Sequence, residues 1–373
     1  MKQYIFTSII ALLLGFTSNV SAQTNSVLAE GFPLTIPSGP FKAGHIQGMA
    51  IDKDKRIVYC SYTTMLVKMD FEGNVLATVT GLLGHLGDLD FHEADGRVYG
   101  SLEYKNDAIG KGIMQMEKSS RKLDNAFYIA IFDVDKMNRV GMDAEKDGIM
   151  TTVYLPTVLE DYLAKVEVEG KVYEHRLGCS GIDGVSFGPR LGRTQGKEYL
   201  TVGYGIYSDP SRSDNDYQVL LQYDVSDWKK YEKPLSQDNM HMEGPRKPRN
   251  QYFVLTGNTT YGVQNLEYDA HTKKWWMAVY KGNKPQYANY TLFALDASVK
   301  PRKQFLKGVP YVGKANVIGQ VDGWMQNLGS TGLCSLENGL YYISHSSKSD
   351  LGQGSALRLY RYTSDGQPFK KVE

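Results

Sequence analysis

The stretch His45-IQGMAID decides the fold because it recurs in altered form as His85-LGDLDFH, Gly181-IDGVSFG, Gly262-VQNLEYD and Ser330-TGLCSLE. Each copy mixes apolar and small or polar residues over the length and period of a half-buried strand. A second strand follows each copy: RIVYCSY from Arg56, RVYGSLEY from Arg97, EYLTVGY from Glu198, WWMAVY from Trp275 and LYYISH from Leu340. Third strands begin at Leu66, Ala130, Leu220, Leu292 and Leu357, and short outer segments such as VLATVT from Val75 complete the unit. Five four-stranded antiparallel meanders in one internal order predict an all-β chain folded as a β-propeller. A β-sandwich is the competing architecture, but it gives no reason to repeat a Gly-containing inner strand. Propeller inner strands crowd an axis and need small residues there. Five blades are counted, and the insertions at about 104–125, 155–180, 232–260 and 304–329 leave room for another.

Working outward to the termini, Lys2, the apolar run from Ile5 to Phe16 and Val20-Ser21-Ala22 have the form of a secretory leader covering residues 1–22. The apolar run is too short for an ordinary membrane helix. Residues 23–373 are therefore expected to form one exported propeller domain, periplasmic or secreted. The chain carries 42 Lys plus Arg against 41 Asp plus Glu and no long basic run, which argues against nucleic acid as a partner. Its 26 Tyr, 13 Phe and 4 Trp suit strands with wet ends and sugar-facing clefts. Cys60, Cys179 and Cys334 are odd in number and have no zinc-like spacing, and Cys60 and Cys334 fall inside apolar strand patterns. Oligomeric state is not legible.

In an up-and-down blade, the start of the inner strand and the loop joining the second and third strands lie on one face. That register gathers His45, His85, Tyr104, Lys105, Tyr204, Tyr207, Arg212, Lys281 and His345. Long loops on a rigid scaffold are where binding and catalysis concentrate. The resulting basic, aromatic mouth suits an anionic ligand. The competing reading of the two early histidines is that they close the axial end through hydrogen bonds to neighbouring blades.

Aligning the inner strands places Gln47, Asp183 and Gln264 in one layer, with Asp88 and Asn265 one residue further along. Oxygen-rich groups around a narrow axis suit Ca²⁺ or ordered water. Asp88 and Asp183 could alternatively serve as the carboxylate pair of a glycoside hydrolase. Asp143-AEKDG lacks the Glu that ends a calcium loop, and Gly110-KGI is expected in a loop without the strand and helix of a phosphate-binding motif.

With the exported propeller plan and GHIQG around His45, the chain resembles secreted bacterial propeller enzymes that act on plant and algal glycans. Within them it is faintly similar to uronate-acting lyases of the rhamnose-glucuronate type. That resemblance implies an acidic oligosaccharide or polysaccharide as partner and no required cofactor beyond the optional axial Ca²⁺. It further implies His45 or His85 as base, Tyr104 as acid, and Lys or Arg, with Arg121 as a candidate, on the uronate carboxylate. Those lyases generally have seven blades and a second His where this chain has Thr64-Met65. A glycoside hydrolase and a non-catalytic glycan-binding propeller are the alternatives.

Overall fold

The computed structural model describes residues 28–373, so the leader expected over 1–22 lies outside the described residues. Five blades surround an axis. Blade 1 comprises Ile46–Asp52, Ile57–Tyr62, Met65–Asp70 and Val75–Thr80, and blade 2 comprises His85–His92, Arg97–Tyr104, Ala126–Phe132 and Met150–Tyr154. Blade 3 runs Cys179–Pro189, Glu198–Ile206, Tyr217–Tyr223 and Asn250–Leu255, and is extended outward by Ala315–Ile318 and Arg302–Gln304. Blade 4 is Thr260–Asp269, Lys274–Tyr280, Leu292–Asp296 and Asp322–Trp324. Blade 5 is Leu333–Ser335, Leu340–Ser349 and Gly352–Tyr362, closed on its outer edge by Phe369–Lys371 and by Thr35–Phe41 from the other end of the chain.

The insertions hold no further blade. Residues 104–125 supply the helix Ala108–Met116, and 155–180 supply the helix Pro156–Leu163 with the hairpin Lys165–Val168 and Lys171–Glu174. The two later insertions contain the outer strands of blades 3 and 4. All three cysteines are buried and unpaired. Among the described residues, no helix is long and apolar enough to cross a membrane.

The inner strands Ile46–Asp52 and Cys179–Pro189 are buried along their whole length, those of blades 2 and 4 over most of theirs, and their apolar residues fill the spaces between neighbouring blades. Their polar residues stitch the ring together. The Asp88 carboxylate of blade 2 accepts the backbone N–H groups of Val185 in blade 3 (3.0 Å) and Leu266 in blade 4 (2.9 Å). Ser101 Oγ donates to Asp183 O at 2.6 Å, and Asn265 Nδ2 donates to Gln47 O at 2.7 Å. Buried polar atoms at a crowded axis need such partners, so the acids and amides spaced along these strands serve the ring closure itself. Gly87 is small for the same reason: a Cβ there would collide with the Asp183 carboxylate and the Ser101 hydroxyl.

Candidate functional site

A cavity of about 390 Å³ opens at the end of the axis where the inner strands begin. Its wall brings together His45, His85, Lys105, Gln47, Gln264 and Asp183, all legible as candidates in the sequence. Thr63, Glu103, Ser180, Tyr261 and Tyr280 complete the polar and aromatic lining, and Ile109 reaches it from the helix Ala108–Met116. The helix begins at Asp107, whose side chain caps it by accepting from Gly110 N at 2.9 Å.

Lys105 is almost wholly buried, with Nζ donating to Ser180 O at 2.8 Å and lying 2.5 Å from Glu103 Oε1. The other Glu103 oxygen accepts Ile182 N at 3.0 Å. Gly181, at φ +125°, makes room for it, since a Cβ would strike Glu103 Oε2. Burial on its own would lower the Lys105 pKa, but the charges of Glu103 and Asp107 outweigh it and hold the ammonium above its ordinary value. The Glu103 carboxyl is itself pushed up by burial, with Lys105 opposing.

Two residues of this lining each carry a fully buried side-chain atom without a hydrogen-bond partner: His85 Nδ1, 3.9 Å from Glu103 Oε1, and Asp183 Oδ1, packed against Gly87. Burial, reinforced by the positive charge of Lys105 and by His45, drives the His85 pKa down to about 3, so its imidazole is neutral at pH 7. His45 sits exposed at the rim, and desolvation by the surrounding walls lowers its pKa as well. Asp183 moves the opposite way: burial, then repulsion from Glu103, lifts its carboxyl well above the ordinary value and favours the protonated acid. The cavity therefore combines neutral imidazoles, a carboxyl biased toward its acid form and one ammonium. Tyr261 stands at the mouth with φ +64° and 44% exposure, a backbone conformation that a bulky residue seldom adopts.

Several sequence expectations are corrected. Tyr104 is buried away from the cavity with its hydroxyl donating to Gln237 at 3.0 Å. Side chains alternate along a strand, so the end of Arg97–Tyr104 that turns Glu103 and Lys105 toward the cavity turns Tyr104 between blades. Arg212 is buried in a fork on Asp214 (2.6 and 2.8 Å) and on the carbonyls of Glu174 and His175, which fixes a loop. Tyr204 is buried and donates to Asp161, while Tyr207 lies near Asp107 at 3.4 Å. His345 stacks on Tyr360 and exchanges a hydrogen bond with its hydroxyl, Lys281 is exposed outside the cavity lining, and Arg121 pairs on the surface with Glu145 and Asp238.

The axial Ca²⁺ expectation also fails. Asp88 is committed to backbone amides, Asn265 bonds Gln47 O, Gln264 O and Leu333 N, Gln47 Nε2 donates to Thr63, and Gln264 Nε2 donates to Tyr261 O. Among the described residues, no cluster of three or more His, Cys, Asp or Glu is arranged for a metal. Since Asp88 does not line the cavity, it and Asp183 do not form a hydrolytic pair across it.

No protein-family model matches the chain, and no curated protein matches it. Among solved structures, it is similar to the apo form of a soluble aldose sugar dehydrogenase from Escherichia coli, with 12% identity, TM-score 0.35, and coverage of 85% of this chain and 96% of that one. It is similar to the holo form of the pyranose dehydrogenase PQQ domain from Coprinopsis cinerea at 14% identity and TM-score 0.34, covering 83% and 81% of the two chains. The Dos1 propeller is 11% identical at TM-score 0.32, with 86% and 59% covered. Likenesses this slight carry no argument about activity or substrate. One of these similar propellers is a holo PQQ domain, and the expectation that no cofactor is required is not carried further.

Proposed function

We propose that the chain is an exported carbohydrate-active enzyme that binds an acidic sugar in the axial cavity and cleaves it by β-elimination. The observation that carries this reading is the gathering of His45, His85, Asp183 and the Lys105 ammonium on the wall of one cavity. A concave site with a few convergent polar groups suits a polyhydroxylated ligand. Lys105 donates to Ser180 O and pairs with Glu103, with Asp107 Oδ2 at 3.7 Å, and a uronate carboxylate would compete with Asp107 for its remaining donor direction.

The roles follow from the shifts. A base held at about 3 is a poor proton acceptor, so His85 orients a sugar hydroxyl while His45 at the rim takes the proton on C5. The electron pair of that C–H bond forms the C4–C5 double bond as the C4–O bond breaks. Asp183 gives its proton to the departing oxygen, a role its raised pKa suits. Lys105 meets the carboxylate that acidifies C5.

The test is incubation with acidic oligosaccharides. An unsaturated product absorbing in the ultraviolet supports the reading, whereas a new reducing end without absorbance, or binding without turnover, overturns it. His45→Ala is expected to lower turnover by roughly 10²-fold or more, and Asp183→Asn to lower kcat with KM little changed.

A further inference from the structure

A second cavity, of about 570 Å³, lies on the flank of blade 3 and shares no lining residue with the axial one. One wall is the helix Pro156–Leu163 with the turn at Arg176, and the other is built from the outer strands Asn250–Leu255, Arg302–Gln304 and Ala315–Ile318. Lys247, Arg249, Lys303 and Lys314 all line it and are all exposed. Among the described residues, none of these four is in an ion pair; Lys314 only lies over the Phe305 ring, at 5.7 Å. The fifth cation, Arg176, is held by Asp161 at 3.1 Å, and Asp161 also accepts the Tyr204 hydroxyl. Glu160 is then the one acid of the lining outside a pair.

We infer that this groove is an accessory site that holds a run of uronate residues of an acidic polysaccharide while a sugar of the chain occupies the axial cavity. The identity of the polymer rests on the reading of the axial cavity as a uronate site. Four unneutralised cations in a formally near-neutral protein make a local positive field that a polyanion would satisfy. Neighbouring Asn and Gln side chains and Thr157 offer hydrogen bonds of the kind that sugar hydroxyls accept and return. The only aromatic residue in the lining, Phe253, is buried, and the one open ring beside it, Phe305, is covered on one side by Lys314. The covalent chain also joins the two sites closely: Arg176 lines the groove, and Ser180 lines the axial cavity.

Equilibrium binding of oligogalacturonate tests the inference, with maltodextrin, duplex DNA and phosphatidylserine vesicles as comparison probes. The expected result is salt-sensitive binding of oligogalacturonate that weakens by roughly tenfold or more in the combined Lys247→Gln, Arg249→Gln, Lys303→Gln, Lys314→Gln variant. All four positions are exposed, so this variant should melt with the wild type. Asp183→Asn should keep the groove-dependent binding while losing turnover. Wild-type affinity in the four-site variant, no oligogalacturonate binding at all, or equal groove-dependent binding of maltodextrin, DNA or vesicles would each overturn the inference. Groove-dependent binding without any unsaturated product would instead defeat the lyase reading alone.

Discussion

Lys105 Nζ lies 2.5 Å from Glu103 Oε1, and both side chains are about 95% buried at the wall of the axial cavity. A buried pair is a weak source of net stability, but removing Glu103 leaves the buried Lys105 ammonium with only the more distant Asp107 carboxylate, at 3.7 Å, to compensate it. Glu103→Ala also strips the acceptor from Ile182 N. Denaturant unfolding is expected to show a loss of about 3–5 kcal/mol. A change below ~1 kcal/mol would mean that water reaches Lys105 freely.

Tyr261 sets strain against binding. Its φ of +64° suits glycine, as Gly262 beside it at +71° illustrates. Tyr261→Gly relieves roughly 1–2 kcal/mol of backbone strain and incurs about 0.5–1 kcal/mol of chain entropy. Thermal unfolding should therefore change little or improve slightly, while sugar affinity falls because the ring at the mouth is gone. Unchanged affinity would remove Tyr261 from the site.

His85 should impose an acid-side loss of stability. Its pKa falls from 6.5 to about 3 on folding, so between those values the unfolded chain binds a proton that the native state refuses. Its contribution is complete above pH 6.5 and declines as pH drops toward 3. In His85→Gln, the slope of unfolding free energy against pH should be shallower than wild type across that window.

Asp90 works in the reverse sense near the other end of the axis. Burial, eased by the amides of Phe187 and Phe91, raises its carboxyl from 3.8 to about 7, beside the buried Glu267 and near His92. The native state then holds a proton that the unfolded chain releases. This contribution is present below pH 3.8 and is lost as pH rises through 7. Asp90→Asn should gain stability relative to wild type as pH is raised from 4 to 7, measured by urea midpoints at fixed ionic strength.

The repeat was legible because strand alternation and inner-strand glycines are local patterns: the segments at His45, His85, Gly181 and Gly262 all lie in observed inner strands. The Ser330 segment yielded only Leu333–Ser335, since its ladder with the next strand is short. At the site, the inner-strand starts and the loop after Arg97–Tyr104 correctly placed His45, His85 and Lys105 on one cavity. Glu103 was missed although the same alternation pointed to it, two residues before Lys105, and Tyr104 was misassigned by ignoring that period. The neutralisation of Arg212 by the acids of its own loop was legible, since Asp214 is two residues on, but its bonds to the Glu174 and His175 carbonyls and the Tyr204–Asp161 bond form only through loop packing.

Closure of the ring supplies the last prediction. Thr35–Phe41 pairs with Gly352–Tyr362 through Thr35–Arg358, Ile36–Leu357, Pro37–Ala356 and Ser38–Ser355, so the first described blade strand completes the last blade. Ile36 is fully buried in the core shared by blades 1 and 5, and the Ser38 hydroxyl lies 2.9 Å from that of Tyr62. Removing residues up to 41 would uncover the edge of Gly352–Tyr362, an open template for pairing with another chain. It would also expose the apolar cluster around Leu357 and Leu359. The truncated chain is expected to melt earlier and to aggregate on concentration, as read by calorimetry and light scattering. Removing Val372 and Glu373 leaves the Phe369–Lys371 ladder in place and should have a much smaller effect. Equal melting of the two truncations would show that the ring does not depend on this strand for closure.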